Sequence, residues 1–571
     1  GFNTSNSNSK SFAKQISYGG KVFDVARSSV SQNKINDNDY TFDLFGAYTK
    51  TIADNHNFKL TAGTTIYKSF GSGLFATGYD VPNNVWENAD LTLAIGTSIA
   101  GGRDVGGYEY DFRRTRHFAR FEYDYKGKYL FSGMLSRDVS LNFGPDKRVA
   151  YFPSFTSGWI VSEENFFDKT KFVNFFKIRA SYGLLGNDRI RPYAYRALLN
   201  GEATYVFDDT LTNGTATGAL SNPAVKWEAD EKINVGFDLK MWNNKVNITT
   251  DLYQNTRKDF LINNIPVSGI FGTYAPGSGS PTINAGSVRN RGIEFAIDYA
   301  DKINDNLRFS VGYNIATLDN EVTEVNNSTG FLEGGSFGVG QLVPSRFEAG
   351  HAAGYFYGLV SDGIFQNQQQ INDHPSQSAL GAATAPGDIR YKDINQDGVI
   401  DFKDRTDIGD PIANITMGFN INVFYKNFDF IAYSYASLGN DMVRNYERNL
   451  SNLNKLNYTL GRWTGEGTSN SVPRVTTAAT NNSVLSDYFV EDASFLRLQT
   501  VTLGYTIDKK FSQKIGINKF RVYTTVNNLY TFTKYRGFDP TANDGNPIGG
   551  GIDNGFYPQP KTFLLGVNLN F

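Results

Sequence analysis

The chain has 571 residues with 57 acidic and 55 basic side chains, four histidines and no cysteine. The absence of cysteine excludes disulfide frameworks, thiolate metal sites and cysteine nucleophiles. The histidines are far apart in sequence, which disfavours a histidine-based metal or proton-transfer site. The formal charge of −2 argues against a nucleic-acid partner, because such partners need a concentrated basic surface.

Aromatic residues make up 15% of the chain although its mean hydropathy is only −0.38. The aromatic residues alternate with polar ones almost everywhere, and no stretch reaches the roughly 18 apolar residues that a transmembrane helix needs. Backbone groups in hydrocarbon must pair internally, so a closed β-barrel is the remaining way to cross a membrane. Its signature is strands of about ten residues with apolar side chains at alternate positions.

The first clear elements are two hairpins. Residues 118–125 and 129–136 alternate around a short turn at Lys126 and Gly127. Residues 233–239 place Ile, Val, Phe and Leu on one face, and 246–252 repeat this pattern after Asn243 and Asn244. Asparagine and glycine tolerate the positive φ of tight turns, so both segments are predicted to be antiparallel hairpins.

The second half of the chain continues the alternation. Residues 293–299, 419–425 and 520–526 have the period of two that places alternate side chains on opposite faces of a strand. A turn at 426–427 leads into 428–435. The last segment, 561–571, places Phe563, Leu565, Val567, Leu569 and Phe571 on one face and ends on an aromatic residue.

The lengths of the connections favour a membrane barrel over a soluble sandwich, which alternation alone leaves open. Short turns alternate with long polar excursions, as in outer-membrane proteins. About 15 to 18 strands are predicted, a number that encloses a lumen too wide for side chains to fill. The predicted long excursions are 70–108, 188–225, 260–285, 324–350, 365–412, 440–490 and 534–558.

Residues 1–10, GFNTSNSNSK, are a polar start without a signal peptide, which fits mature protein or an internal piece. Alternation typical of strands is established by about Tyr40. The chain shows no clean domain boundary. We therefore treat 1–571 as one barrel portion with a long extracellular loop at about 365–412.

Several strings resemble the SusC/RagA class of TonB-dependent outer-membrane transporters, and they occur in that family's order over essentially the whole chain. They include FARFEYDYKGKYLFSGMLSRD (118–138), FGPDKRVAYFPSFTSGWIVSEENFF (143–167), FFKIRASYGLLGN (175–187), NPAVKWEADEKINVGFD (222–238), NAGSVRNRGIEFAIDY (284–299), GDIRYKDINQDGVIDFKDRTDIGDP (387–411), DASFLRLQTVTLGYTI (492–507), NNLYTFTKYRGFDP (527–540) and the closing TFLLGVNLNF.

The resemblance implies an all-β transmembrane antiparallel barrel, with 22 strands in the family, in the outer membrane of a Bacteroidetes-type bacterium. It implies import of large nutrients, typically oligosaccharides or peptides. It also implies a SusD-like surface lipoprotein as a lid, and energy from TonB, ExbB and ExbD.

This chain departs from the family pattern at its start. The amino-terminal domain, the TonB-contacting segment and the plug are not recognisable in it. We expect the chain to be a carboxy-terminal portion that lacks the plug and the first strands. That part would be a separate chain or absent from this sequence, and transport would belong to the complete assembly.

The sharpest chemical motif fits the twelve-residue calcium loop, in which Gly398 occupies the position of the sharp turn. Asp at the last position, instead of the bidentate Glu, predicts weaker binding. The alternative is an Asp/Asn-rich turn without an ion. The predicted ligands are Asp393, Asn395, Asp397, the carbonyl of Val399, Asp401 and Asp404.

Aromatic residues in the predicted loops could stack on sugar rings or contact a lid protein, although packing within their own loops is the simpler interpretation. No residue is assigned to substrate on this basis. Trp227 and Trp242, at the two ends of one predicted strand, fit the interfacial belts of a barrel. The loop aromatics are Phe75, Tyr79, Trp86, Tyr274, Phe331, Phe538 and Tyr557.

No constellation supports an enzyme. Active import remains beside two alternatives, a passive porin or secretion barrel and a surface binding module with calcium as a structural clip. The sequence does not distinguish a glycan from a peptide as the substrate.

Overall fold

The computed structural model describes residues 1–571 except 19–20, 23–26, 95–102, 169–171, 200, 217, 264–278, 339–340, 448–455, 544 and 547. Its main element is a 17-stranded antiparallel sheet, within the predicted range of strands. Its strands, in chain order, are β1 (Phe2–Ala13), β2 (Ser29–Ile52), β3 (His56–Tyr79), β4 (Arg103–Tyr125), β5 (Tyr129–Ser140), β6 (Val149–Ile160), β7 (Val173–Asn187), β8 (Glu228–Met241), β9 (Val246–Lys258), β10 (Gly286–Asn304), β11 (Leu307–Thr317), β12 (Asp319–Val325), β13 (Ile415–Tyr425), β14 (Phe428–Leu438), β15 (Phe495–Thr506), β16 (Lys519–Thr533) and β17 (Thr562–Asn570).

The sheet is a meander in which successive strands pair. β11 and β12 together occupy one position, because β10 pairs with β11 along its second half and with β12 along its first half. Within the described residues, β1 pairs only with β2 and β17 pairs only with β16. The sheet therefore has two edges, at β1 and β17.

The two ends of the strands differ in their connections. At one end, tight turns join neighbouring strands, and the predicted turns at 126–127 and 243–244 lie here with positive φ at Lys126 (55°), Asn243 (57°) and Asn244 (64°). At the other end, long connections such as 188–227, 326–414 and 439–494 cover the strand ends. Outer-membrane barrels have short periplasmic turns and long extracellular loops, so we name the two ends accordingly.

β2, β3 and β4 are much longer than a membrane requires, with 24, 24 and 23 residues. A spanning strand needs about 9–11 residues. β5 pairs only with the Arg114–Tyr125 half of β4, so the other half extends beyond it on the extracellular side. We call the extracellular parts of these three strands, 29–39, 69–79 and 103–113, the projecting wall.

The connections contain their own short elements. Short strands are Ser17–Tyr18, Lys21–Val22, Gly201–Phe207, Thr210–Ala216, Leu261–Ile262, Ile283–Asn284, Phe331–Gly334, Ser345–Glu348, Tyr355–Gly358, Ser361–Ile364, Ile389–Tyr391, Thr406–Asp407, Asp441–Arg444, Val490–Asp492 and Ile552–Asp553, and the α-helices are Gln368–Asn372 and Lys509–Ser512. The 3-10 helices are Pro82–Asn84, Trp86–Asn88, Pro145–Lys147, Val161–Glu163, Ser378–Leu380, Phe402–Asp404, Asn457–Gly461, Asn481–Ser483, Asp487–Phe489 and Gln513–Ile515.

The extracellular connections 326–414, 439–494 and 534–561 pack together, and we call them the loop layer. Phe356, Val443 and Ile552 come from all three connections and form one buried cluster. Leu359 and Tyr391 belong to a second cluster with Ile400, which lies within the predicted calcium motif. These loops therefore have hydrophobic cores of their own.

Two expectations about boundaries are wrong, and the start of the chain has a structure on which the sequence analysis made no prediction. The excursion predicted at 70–108 is shorter, because β3 continues to Tyr79 and β4 begins at Arg103. Residues 324–350 and 365–412 belong to a single connection between β12 and β13, with short strands between them. The polar start at 1–10 is almost entirely strand, since β1 gains its regular structure from backbone pairing with β2.

Over the described residues, no helix combines the length and apolar character needed to cross a bilayer.

Candidate functional site

The two faces of the sheet differ chemically, as the alternation predicts. On β17, Phe563, Leu565 and Val567 share one face and are 73%, 79% and 57% exposed. On β8, Ile233 and Val235 continue this apolar face with 43% and 47% exposure. Large apolar side chains exposed in regular alternation over many strands form the surface that lipid covers.

The opposite face carries ion pairs between strands. Arg116 on β4 donates to Asp138 on β5 at 2.8 Å. Arg179 on β7 donates to Asp251 on β9 at 2.7 Å, and also pairs with Asp238 on β8. Charged residues at membrane depth are expensive unless they face an interior and are paired. This face therefore lines the lumen.

The loop layer is held by a buried arginine. The side chain of Arg444 is completely buried, and its Nη1 donates to Oε1 of Glu491 at 2.6 Å. Its Nε lies 3.4 Å from Glu447, and its guanidinium lies 5.2 Å from the ring centroid of Tyr488. Arg536 approaches the same Glu491 at 2.8 Å. Charge-assisted contacts thus join the second and third connections of the layer where they meet.

A partly buried carboxyl group lies next to this network. Burial, together with the smaller effect of the neighbouring carboxylates of Asp410, Asp492 and Asp407, raises the pKa of Asp441 to about 6. The side chain of Asp407 also contacts Nδ1 of His351 at 3.0 Å. The extracellular mouth therefore contains a group that titrates just below neutral pH.

The calcium motif folds as a compact loop stabilised by its own carboxylates. The backbone N–H groups of Gly398 and Val399 donate to Asp393 and Asp397 at 2.9 and 3.0 Å. The backbone N–H of Asp397 donates to the side-chain oxygen of Asn395 at 2.9 Å. Gly398 has φ of 85°, which is the conformation expected at the sharp turn.

The last two predicted ligands have clear structural roles. Asp401 caps the 3-10 helix Phe402–Asp404, and the fully buried Asp404 accepts from the backbone N–H groups of Ile394 and Asp401 at 2.9 Å. No three His, Cys, Asp or Glu side chains converge closely enough to hold a metal in the part of the chain that the structure describes. However, Oδ1 of Asp393 is buried and accepts no hydrogen bond from a described residue. Calcium binding stays a prediction.

The predicted loop aromatics lie in different places, and Tyr274 falls outside the described residues. Trp86 packs against Phe12 with ring centroids 6.4 Å apart. Phe538 and Tyr557 are 71% and 91% exposed, and Phe331 lies beside the guanidinium of Arg346 at 4.0 Å. Phe75 and Tyr79 lie on β3.

The two tryptophans differ. Trp242 is 48% exposed at the periplasmic end of β8 and packs edge-on against Phe172, which fits the predicted belt. Trp227 does not belong to a belt. It is buried with Phe143 under the extracellular loops, and its Nε1 donates to the carbonyl of Arg148 at 3.0 Å. Loop packing overrides the belt pattern at that end of the strand.

Sequence reasoning missed Arg444, Glu491 and Asp441. Arg444 and Glu491 are 47 positions apart and belong to no recognisable motif. Only the folding of the long connection 439–494 brings them together, so no local signal identifies them.

Comparison with known proteins gives one consistent result. A family model described as TonB dependent receptor-like, beta-barrel matches residues 1–397. The chain is 29% identical over 543 residues to TonB-dependent receptor P3 of Formosa agariphila, covering 92% of this chain and 52% of that protein. It is 29% identical over 557 residues to TonB-dependent receptor SusC of Bacteroides thetaiotaomicron, covering 95% and 50%. The chain thus spans about half the length of these curated relatives.

Among solved structures, the RagAB peptide transporter matches the whole chain and 59% of its own chain, with a TM-score of 0.79 and 21% identity. This likeness concerns the fold and supports the antiparallel barrel. The relatives are named as receptors, which confirms the expectation that the chain is not an enzyme. The chain therefore belongs to the TonB-dependent receptor β-barrel family, and within it is similar to SusC.

Proposed function

We propose that the chain forms most of the barrel of an outer-membrane transporter that imports a large nutrient, an oligosaccharide or a peptide, with energy from TonB, ExbB and ExbD. The observation that carries this proposal is the combination of an ion-paired lumen face with a match to the TonB-dependent family over 1–397. A passive porin or a surface binding module would not explain this family match.

In the complete protein, we propose that further strands pair with the edges at β1 and β17, and that an amino-terminal region supplies the plug and the TonB contact. A sheet edge exposed to lipid would leave backbone groups without hydrogen-bond partners, so the strands of the complete protein must close into a barrel. The proposed location is the outer membrane of a Bacteroidetes-type bacterium, in agreement with the organisms of the relatives.

We propose a SusD-like lipoprotein as the partner over the extracellular mouth. The support is the similarity to SusC and the fold of the RagAB transporter. The loop layer offers such a partner a packed surface, because its connections have buried cores.

The test uses the full-length protein in its own bacterium. A tagged copy extracted in mild detergent should co-purify with a surface lipoprotein, and nutrient uptake should stop when TonB is removed. Uptake that persists without TonB would support a porin and contradict the proposal. A tagged, unrelated outer-membrane barrel serves as the control for co-purification.

We further propose that the 393–404 loop binds calcium as a structural ion. The supporting observations are the buried Oδ1 of Asp393 without a described donor and the sharp turn at Gly398. Calcium prefers several hard oxygen ligands of this kind. The ion would neutralise the clustered carboxylates and stabilise an exposed loop.

Titration calorimetry of the purified protein with CaCl₂ tests this proposal. Asp397→Asn should weaken binding by about tenfold or more, because ligand charge sets the affinity of such loops. Asp373→Asn, an exposed carboxylate outside the motif, is the matched control. Equal heats for both variants and the unmodified protein would show that the loop is an Asp/Asn turn without an ion.

A further inference from the structure

The inner face of the projecting wall displays a series of aromatic rings opposite glycines. On β3 and β4, Tyr108 lies directly across from Gly73, Tyr110 from Gly71, and Phe75 from Gly106. These pairs recur at alternate positions, so all three rings lie on one face of the sheet. Tyr67 continues the series towards the membrane on the same face of β3.

Each ring occupies the space that a side chain on the opposite residue would need. A Cβ on Gly73 would lie 2.3 Å from Cε1 of Tyr108, and a Cβ on Gly106 would lie 2.3 Å from Cζ of Phe75. The rings therefore lie across the glycine backbone. Tyr108 and Phe75 remain 50% and 46% exposed. One ring face is thus covered by the sheet, and the other is open.

This face is continuous with the lumen. The pairing of β3 with β2 and with β4 has no register shift along the full length of β3. Every second side chain of β3 therefore lies on the same face, from Lys59, which pairs with Glu122 on the lumen face, up to Phe75. The series from Tyr67 to Phe75 spans about 26 Å at roughly 3.3 Å per residue.

The loop that follows β3 covers the opposite face. Val30 is completely buried in a cluster with Val81, Ala89 and Ala94. A Cβ on Gly78 would lie 2.6 Å from Cβ of Ala94, on the outer side of the sheet. The described part of this loop therefore packs against the outer face of the wall and leaves the rings on the inner face accessible from the mouth.

Carboxylates lie among the rings. Asp37 accepts from the hydroxyl of Tyr110 at 2.9 Å, and Asp39 accepts from the hydroxyl of Tyr67 at 3.1 Å. Asp104 accepts from the hydroxyl of Tyr79 at 2.7 Å. A carboxylate has about four lone-pair sites, so each one can accept further hydrogen bonds from a ligand. The guanidinium of Arg114 lies 5.8 Å from the ring centroid of Tyr67, so the three carboxylates leave the strip with a net negative charge, which disfavours polyanions.

We infer that this strip binds a neutral oligosaccharide on its way into the lumen. Flat rings with one open face stack on the apolar C–H faces of sugar rings, and the neighbouring carboxylates accept bonds from sugar hydroxyls. The strip, defined by Tyr67, Tyr108, Tyr110 and Phe75, rests on the proposed function, because it guides a substrate only if the barrel imports one. Glycans that carry carboxylate or sulfate groups are disfavoured by the charge.

The test measures binding to the purified full-length protein by calorimetry. The probes are neutral gluco-, xylo- and manno-oligosaccharides of six to eight units, oligogalacturonate, and a mixture of casein-derived oligopeptides. At least one neutral probe should bind. Removal of two rings in Tyr108→Ala/Phe75→Ala should weaken that binding by about tenfold or more, because two aromatic contacts are lost.

Two controls separate ring loss from damage to the wall. Tyr108→Phe keeps the ring and should bind like the unmodified protein. Leu74→Ala/Val105→Ala shortens exposed side chains on the outer face of the same strands and should also bind normally. All variants must have unchanged thermal midpoints. Unchanged affinity in the ring-deleted variant, or binding of oligogalacturonate or peptides alone, would overturn the inference.

Uptake by cells separates this inference from the proposed function. TonB-dependent uptake of the bound neutral probe that is unaffected by ring deletion would overturn the strip and leave the transporter intact. Ring-dependent binding combined with TonB-independent uptake would support the strip and overturn the proposed energy coupling.

Discussion

On one side of the mouth, β2, β3 and β4 rise past the membrane as continuous strands of 23 or 24 residues, whereas on the other side the connections 326–414 and 439–494 fold back on themselves. In the projecting wall, strand pairing satisfies the backbone. In the loop layer, buried side chains such as Phe356 and Arg444 hold irregular backbone together. The wall should therefore tolerate changes on its faces, while the loop layer should fail at single positions.

The largest effect is expected at Arg444. Arg444→Met leaves Glu491 and Glu447 without their buried partner, and breaking such a pair costs about 3–5 kcal/mol. The loop layer should become sensitive to protease while the membrane part stays intact. Limited proteolysis and thermal unfolding of the full-length protein measure this effect.

A matched substitution on the wall checks the contrast. Arg113 is 58% exposed and pairs with Asp111 at 3.0 Å, so water screens the pair and Arg113→Met should leave the stability almost unchanged. If both variants were equally resistant to protease, the buried network would not be what holds the loop layer.

The second-largest effect tests which face of the membrane-spanning strands contacts lipid and which faces the lumen. Val235→Arg places a charge on the lipid face of β8 and should cost about 2–4 kcal/mol near the middle of the bilayer. The neighbouring Asn234→Arg points into the lumen, where water is present, and should cost far less. Folding into lipid vesicles, followed by urea titration, compares the two variants. Equal costs would mean that the faces are assigned incorrectly.

The membrane-spanning strands could be predicted from sequence, because the alternation of apolar and polar side chains is visible within each strand on its own. A strand such as β8 alternates side chains between lipid and water, and its turn at Asn243 and Asn244 marks its end. The projecting wall was harder to predict, because neither of its faces touches lipid. The adjoining strand β1 is mostly polar, and its regular structure comes from pairing with β2 rather than from its own pattern.

The candidate sites also differ in whether the sequence pattern of a single segment is enough to identify them. The motif from Asp393 to Asp404 is contiguous, so the sequence identifies it and the structure shows it as one turn. The ring strip was not predicted, because Phe75 looked like an isolated loop aromatic. Its partner Gly106 is found only once the register of β3 and β4 is known. Trp227 was wrongly assigned to an interfacial belt because the residues that bury it are distant in sequence.

The smallest effect concerns pH and Asp441. Burial raises the pKa of this carboxyl group from 3.8 to about 6 in the folded protein. The folded state therefore binds the proton more tightly than the unfolded chain does between about pH 4 and 6. The contribution to stability is complete below about pH 4, decreases as the pH rises through that window, and is lost above about pH 6, where the buried charge destabilises the loop layer.

Asp441→Asn keeps the shape of the side chain and removes the charge. It should stabilise the loop layer at pH 7.5 by on the order of 1–2 kcal/mol and should flatten its pH dependence between pH 4 and 6. Protease resistance of the loop layer at pH 4.5 and 7.5 measures both effects, with the exposed Asp373→Asn as control. A variant that kept the original pH profile would assign the titration to the neighbouring Asp410 instead, since burial raises the pKa of that carboxyl group too. Among the described residues of the projecting wall no acid is buried, so the protease resistance of the projecting wall should not change between pH 4.5 and 7.5.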